Sequence, residues 1–175
     1  LTKKVDLNML ETVQLDKKQH DRKGFDCGVD VLNDYLAKYA SSSDQRSLTK
    51  TFVLVDSEQP KKIIGFYTLA YATVSVPDGF PRQQSQNPLS AIDKSFKKHR
   101  FGEQLLLECI RKTALAAQPE NPAAVIGLFV DAKEDAVGFY KQYGFIEVSC
   151  ENTRKLYLPI TTCKKVALAM ENGDT

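Results

Sequence analysis

One stretch of this chain restricts its architecture more than any other. Residues 89–102, LSAIDKSFKKHRFG, place a short apolar run and a basic turn directly before the periodic segment EQLLLECIRKTAL. A strand, a turn and a helix opening near Gly102 bring a helix N-terminus and its unpaired backbone N–H groups to one point, which is the physical basis of an anion site. Lys94, Lys97, Lys98 and Arg100 add positive charge, and Gly102 removes a Cβ from the path of an approaching ligand. A phosphate would suit such a turn. A basic, solvated connection between strand and helix would read the same way, so this stretch alone leaves both meanings open.

The surroundings are those of an ordinary globular chain: 175 residues, 42% hydrophobic and 26% charged, enough to bury a sizeable core in one domain spanning 1–175. Cys27, Cys109, Cys150 and Cys163 are widely spaced without a CxxC, and the two histidines are His20 and His99, so neither a zinc cluster nor a disulfide framework is suggested. Buried free thiols are expected. No apolar run reaches about 18 residues and no signal-peptide pattern appears, which makes a soluble, cytoplasmic protein the expectation. The net charge of +2 hides basic groupings at Lys3 and Lys4, at Lys17, Lys18, Arg22 and Lys23, and from Lys94 to Arg100. These permit a polyanionic partner without requiring one.

Along the chain, LETVQL (10–15) reads as a first strand. Leu32, Tyr35, Leu36, Tyr39 and Ala40 form one helical stripe, and that helix is expected to end in SSSDQRS. KTFVLVD and IIGFYTLAYATVSV, separated by a polar turn, read as an antiparallel hairpin in which Gly65 marks a bulge or a close contact. PDGFPRQQSQNP (77–88), with three prolines, reads as a loop. Leu105, Leu106, Cys109 and Ile110 form the buried face of the next helix, which ends before Pro119. AAVIGLFVDA has the look of a strand buried on both faces, KEDAVGFYKQY of a short helix stopped at Gly144, FIEVS of a strand and CKKVALAM of a last strand. The order predicts an α/β (α+β) fold: a central mixed, mostly antiparallel sheet with helices on both faces.

This order, together with GFDCGVDVLNDYLAKYA (24–40), TFVLVD followed by IIGFYTLA, and VDAKEDAVGFYKQYGF (130–145), resembles the GCN5-related N-acetyltransferase (GNAT) fold from about residue 10 to 160. Within it the chain is most similar to the toxin acetyltransferases of toxin-antitoxin systems, which acetylate aminoacyl-tRNA. The resemblance implies acetyl-CoA as cofactor, and coenzyme contacts from Ala91, Ile92, Lys97, Lys98, His99, Arg100, Phe101, Gly102 and Phe139. The family's pyrophosphate loop has the pattern Q/R-x-x-G-x-G/A; aligned on Gly102, this chain puts Lys97 first and Arg100 where the inner glycine is expected. Arg100 must then take a backbone shape that glycine takes easily. Unpaired amides of a strand bulge around Ala91 and Ile92 are the implied oxyanion donors. Tyr140 is the implied general acid, with Tyr143 as substitute if the alignment slips.

The chemistry fits these assignments. An α-amine, with a reference pKa of about 7.7 to 8.0, is partly neutral at physiological pH and needs no strong base, whereas a lysine near about 10.4 does. A phenol with a pKa of about 10 is protonated and can donate to the departing thiolate. Cys109 is expected in the core, so direct attack in a ternary complex is favoured over an acetyl-cysteine route. The resemblance further implies a homodimer and a ribbon-helix-helix antitoxin partner. Two other readings stay open from sequence: a GNAT enzyme acetylating a small amine or a protein, and a degenerate, non-catalytic GNAT domain kept for binding.

Overall fold

The structure, a computed structural model, describes residues 7–70, 90–97, 100–121, 125–150 and 153–173. The loop expected at 77–88 and the end of the strand leading into it lie outside the described residues. The chain divides into two compact units, Leu1–Leu105 and Leu106–Thr175, and each is described by itself.

The first unit is built on a four-stranded antiparallel sheet of order β1-β2-β3-β4, from β1 (Leu10–Gln14), β2 (Lys50–Asp56), β3 (Gln59–Leu69) and β4 (Ser90–Ile92). The expected hairpin is β2 with β3. Val53, Leu54 and Val55 of β2 are all fully buried, as a strand covered on both faces requires, which is why its apolar run shows no alternation. Val53, Val55, Ile63 and Phe66 face a cluster that includes Phe25, Cys27, Leu36 and Ala40.

Both expectations for Gly65 hold. The β2–β3 register runs Leu54 to Gly65 and then Val55 to Ile63, so Ile64 is the extra residue of a bulge. A Cβ on Gly65 would lie 2.5 Å from Ile92 Cδ1 and 3.0 Å from the Ala91 carbonyl oxygen. Only glycine lets β4 approach this closely.

The helical stretch of this unit is longer and less regular than expected: α1 (Asp30–Asp34), a π-helical turn (Tyr35–Tyr39) and α2 (Ala40–Gln45). Serines 41–43, expected in a loop, are helical. The extra residue of the π turn rotates the stripe, so Leu36 and Ala40 are buried while Tyr39, expected on the same face, is 57% exposed.

Helix α3 (Phe101–Ala116) buries Phe101, Leu105, Leu106, Cys109, Ile110 and Ala114, a face at helical spacing that includes the four residues expected there. The second unit holds a three-stranded antiparallel sheet of order β5-β7-β6, from β5 (Gly127–Asp131), β6 (Ile146–Cys150) and β7 (Thr153–Pro159), with α4 (Val137–Lys141) and α5 (Ile160–Asn172). Sequence reading is corrected here at three points. β5 is not buried on both faces: Leu128 and Val130 are buried and Gly127, Phe129 and Asp131 are half-buried, as suits an edge of this sheet. β7, the middle strand, was not expected, although Leu156 and Leu158, both fully buried, alternate with Tyr157. CKKVALAM is helix α5 rather than a strand: Cys163 and Ala167 are buried one turn apart, and Gly173 ends the helix in the left-handed conformation at φ 74°. All described strand pairings are antiparallel.

Candidate active site

In the first unit, β4 ends at Ile92 and Asp93 starts a short 3-10 turn, Lys94–Phe96. Asp93 is buried and spends both carboxylate oxygens: one accepts from the Ser95 N–H (2.9 Å) and Oγ (2.5 Å), the other from the Asp26 N–H (2.9 Å). Its own N–H donates to the Ile64 carbonyl at 2.8 Å, beside the bulge. The turn is therefore fixed to β3 and to the segment around Asp26 before it reaches its basic residues.

Arg100 stands immediately before α3 with φ 58°, the left-handed shape that the sequence pattern demanded of it. An arginine there carries a steric cost of about 1–2 kcal/mol that glycine does not. Its carbonyl accepts from the Glu103 and Gln104 N–H groups at 3.0 and 3.4 Å, and its exposed guanidinium pairs with Glu103 at 2.8 Å. α3 thus opens at Phe101, one residue earlier than expected. A Cβ built on Gly102 would meet nothing within 4 Å, so the fold itself does not demand glycine at that position.

The predicted coenzyme residues divide as follows. Lys97 and Arg100 are exposed, and Lys97 Nζ lies 3.6 Å from where a Cβ of Gly28 would sit. The Phe101 ring is buried, 6.1 Å from that of Phe96, so its side chain builds the core, and what the residue offers at the opening of α3 is its backbone N–H. Ala91 and Ile92 are half-buried on β4, which pairs with β3 in unbroken register (Gly65 to Ile92, Phe66 to Ala91, Tyr67 to Ser90). The bulge expected at Ala91 and Ile92 lies, among the described strands, on β3 instead. Lys98 and His99 lie outside the described residues. Lys94 is not a free cation: it is bound to the Asp26 carboxylate, which it holds down to about 2.

In the second unit, a 3-10 turn (Glu134–Ala136) leads into α4, which ends in a tight turn with Gly144 at φ 85°. The Tyr140 carbonyl accepts from the Tyr143 N–H at 3.0 Å. Tyr140 and Phe139 are half-buried, their rings edge to face at 5.3 Å; Phe139 packs against Tyr143 at 5.3 Å and Tyr140 against Phe145 at 5.4 Å. This aromatic group fixes the ring of Tyr140 from two sides.

Two buried thiols bear on mechanism. Burial pushes the Cys109 thiol up to about 12 and Cys163 up to about 11. Neither is a nucleophile at neutral pH. His20 is buried, its Nδ1 accepts from the Asp16 N–H at 2.9 Å, and burial lowers its pKa, so it is a turn-closing residue. Among the described residues no group of three or more His, Cys, Asp or Glu is arranged to hold a metal ion.

Comparison with known proteins decides the fold. No protein-family model matches the chain. A curated relative, probable toxin TacT of Sinorhizobium fredii (strain NBRC 101917 / NGR234), is 24% identical over 168 residues, 87% of this chain and 92% of that protein. A tyrosine-to-phenylalanine mutant of the toxin AtaT, solved with acetyl-CoA and the C-terminus of the antitoxin AtaR, superposes with a TM-score of 0.74 at 25% identity over 90% of this chain and 98% of that one. The chain has the GNAT fold. AtaT in complex with acetyl-methionyl-tRNAfMet gives a TM-score of 0.70 at 24% identity, over 95% of this chain and 99% of that one. Among GNAT proteins, the chain is similar to toxins.

Two residues of the site were missed from sequence, Asp26 and Asp93. A local signal existed: Asp-Cys-Gly at 26–28 and Asp-Lys-Ser at 93–95 are both Asx turns, in which the carboxylate accepts the N–H two residues on, from Gly28 at 2.8 Å and from Ser95 at 2.9 Å.

Proposed function

We propose that this chain is an acetyl-CoA-dependent N-acetyltransferase that acetylates the amino group of aminoacyl-tRNA and so acts as a translation-blocking toxin. The observation that carries the reading is the basic turn before α3, with Arg100 held at φ 58°, the left-handed shape that glycine takes easily at the place where the family pattern has one. The likeness to an AtaT form solved with acetyl-CoA, and to AtaT solved with acetyl-methionyl-tRNAfMet, supports it.

In this reading the whole chain is one acetyltransferase domain. Lys97, Arg100 and the amides opening α3 take the diphosphate of coenzyme A, whose thioester supplies the acetyl group. The neutral α-amine attacks the thioester carbonyl, backbone N–H groups of β4 stabilise the oxyanion, and the Tyr140 phenol gives its proton to the departing thiolate. The amine loses its extra proton to solvent, and solvent returns one to the Tyr140 phenolate. With Cys109 protonated at neutral pH, transfer is direct and passes through no acetyl-cysteine. A ribbon-helix-helix antitoxin, a homodimer and a cytoplasmic location belong to the same reading; among the described residues no helix is long and apolar enough to cross a membrane.

Incubation with labelled acetyl-CoA and total charged tRNA tests it. Label should enter RNA. Label confined to small amines or to protein would instead make the chain a GNAT enzyme of different substrate class, and absence of coenzyme A binding by calorimetry would make it a non-catalytic GNAT domain.

A further inference from the structure

The segment 26–28 and the start of the basic turn are joined more densely than chain geometry requires. The Asp26 N–H donates to the buried Asp93 carboxylate at 2.9 Å, and the Asp26 carbonyl accepts from the Lys94 N–H at 2.7 Å. The Asp26 carboxylate binds Lys94 Nζ with one oxygen, and with the other accepts from the Gly28 N–H at 2.8 Å and Asn33 Nδ2 at 3.0 Å. Asn33 in turn accepts from the Cys27 N–H at 2.9 Å, which fixes the start of α1 to the same point.

The consequences are geometric and electrostatic. Residues 93 and 94 are held by backbone and side-chain bonds to Asp26, so the turn that follows starts from a fixed position and direction. Lys94 is neutralised by its partner, which leaves Lys97 as the lysine of the described turn with no carboxylate bound. Gly28, at φ 80°, has no Cβ, and Lys97 Nζ passes within 3.6 Å of the place one would occupy. The 26–28 turn therefore anchors the basic turn, whose lysine lies beside Gly28.

We infer that Asp26 is a positioning residue for coenzyme A: through Lys94 and Asp93 it sets the placement of the diphosphate-binding turn without touching substrate itself. The inference rests on the acetyl-CoA reading above, and it names a residue that reading does not use. A pre-set turn spares the coenzyme the cost of ordering it on binding.

Titration calorimetry with coenzyme A and steady-state kinetics with acetyl-CoA test it on the full chain. Wild type should bind; if it does not, the acetyl-CoA reading fails and Asp26 is not at issue. With wild type binding, Asp26→Ala should weaken coenzyme A and raise KM for acetyl-CoA about tenfold, with kcat and KM for the amine acceptor changed less than about twofold. Asp26→Asn, whose amide oxygen still accepts from Gly28 and Asn33, should recover most of the loss. Lys94→Ala, which removes the more exposed half of the ion pair, should weaken coenzyme A in the same direction by a smaller factor and serves as the test if Asp26→Ala does not fold. Unchanged coenzyme A affinity in both Asp26→Ala and Lys94→Ala, or a fall in kcat at constant KM, would overturn the inference.

Discussion

The two regions that carry the proposed chemistry are built on opposite principles. The described residues of the basic turn, 93–97 and 100–102, are governed by charge and hydrogen bonds: two carboxylates, Asp26 and Asp93, fix its start, and Arg100 sits in a left-handed backbone shape that costs it energy. The segment at 134–145 is held by rings, with Phe139 and Phe145 against Tyr140 and Tyr143 against Phe139, and its own left-handed position is filled by Gly144 at little cost. A ligand with a doubly charged diphosphate needs fixed dipoles and cations, while an acid that must donate once per turnover needs a rigid ring. Strain stands in the first region and not in the second, which is where a bound ligand can compensate it.

The largest effect separates binding from chemistry. Tyr140→Phe keeps the ring and its edge contacts but loses the acid, so kcat should fall about 10²- to 10⁴-fold while coenzyme A affinity measured by calorimetry stays within about twofold. Unchanged turnover would remove Tyr140 from the mechanism and leave Tyr143 to be tested next.

Next comes the contrast between the left-handed residues. Gly144→Ala should cost about 1 kcal/mol, because a Cβ is forced into an unfavourable backbone region with Thr162 Cγ2 already 3.4 Å from it. Arg100→Gly should do the reverse and stabilise by up to about 1 kcal/mol, less what the Glu103 ion pair and the freer unfolded chain take back. Urea unfolding of both variants reads the pair; equal signs would break the comparison.

Gly102→Ala sharpens it further. Since a Cβ there meets nothing within 4 Å, the variant should fold with unchanged or slightly raised stability, by about 0.5 kcal/mol, yet bind coenzyme A more weakly. Tighter or unchanged binding would mean that no ligand backbone contact is made at Gly102.

The smallest effect is on pH. The Asp26 carboxyl, held by Lys94 and then by the Gly28 and Asn33 donors, titrates at about 2 against an ordinary 3.8. Between those values the folded state binds fewer protons than the unfolded one, so the stabilisation is complete above pH 4 and is lost as pH falls through about 2. Asp26→Asn should flatten the acid limb of a stability profile over that interval, whereas changes in the aromatic region should leave its slope alone.

How much of this could be read from sequence also differs between the two units. In the first, the run FVLV in β2 was legible as a strand; on α3, whose residues from Leu106 on belong to the second unit, the helical period was legible as well. The Arg100 conformation was legible too, because a single residue stood in the place of a glycine. The π turn at Tyr35–Tyr39 was not, since one inserted residue turns the stripe without leaving a composition mark. In the second unit, β7 has Arg154 and Lys155 near its start and leaves only the short alternation Leu156, Tyr157, Leu158 to mark it, and VALAM in α5 is as consistent with one helical face as with a strand. Asp26 and Asp93 each carry the local mark of an Asx turn, but the bond that joins the two spans 67 residues of chain, a distance that no local pattern reports.

The most direct test is mass analysis of the aminoacyl-adenosine released by nuclease from charged tRNA after incubation with this protein and acetyl-CoA. The account predicts N-acetylated aminoacyl-adenosine with wild type, none from uncharged tRNA and almost none with Tyr140→Phe. Release of free coenzyme A with every aminoacyl-adenosine left unmodified would contradict it.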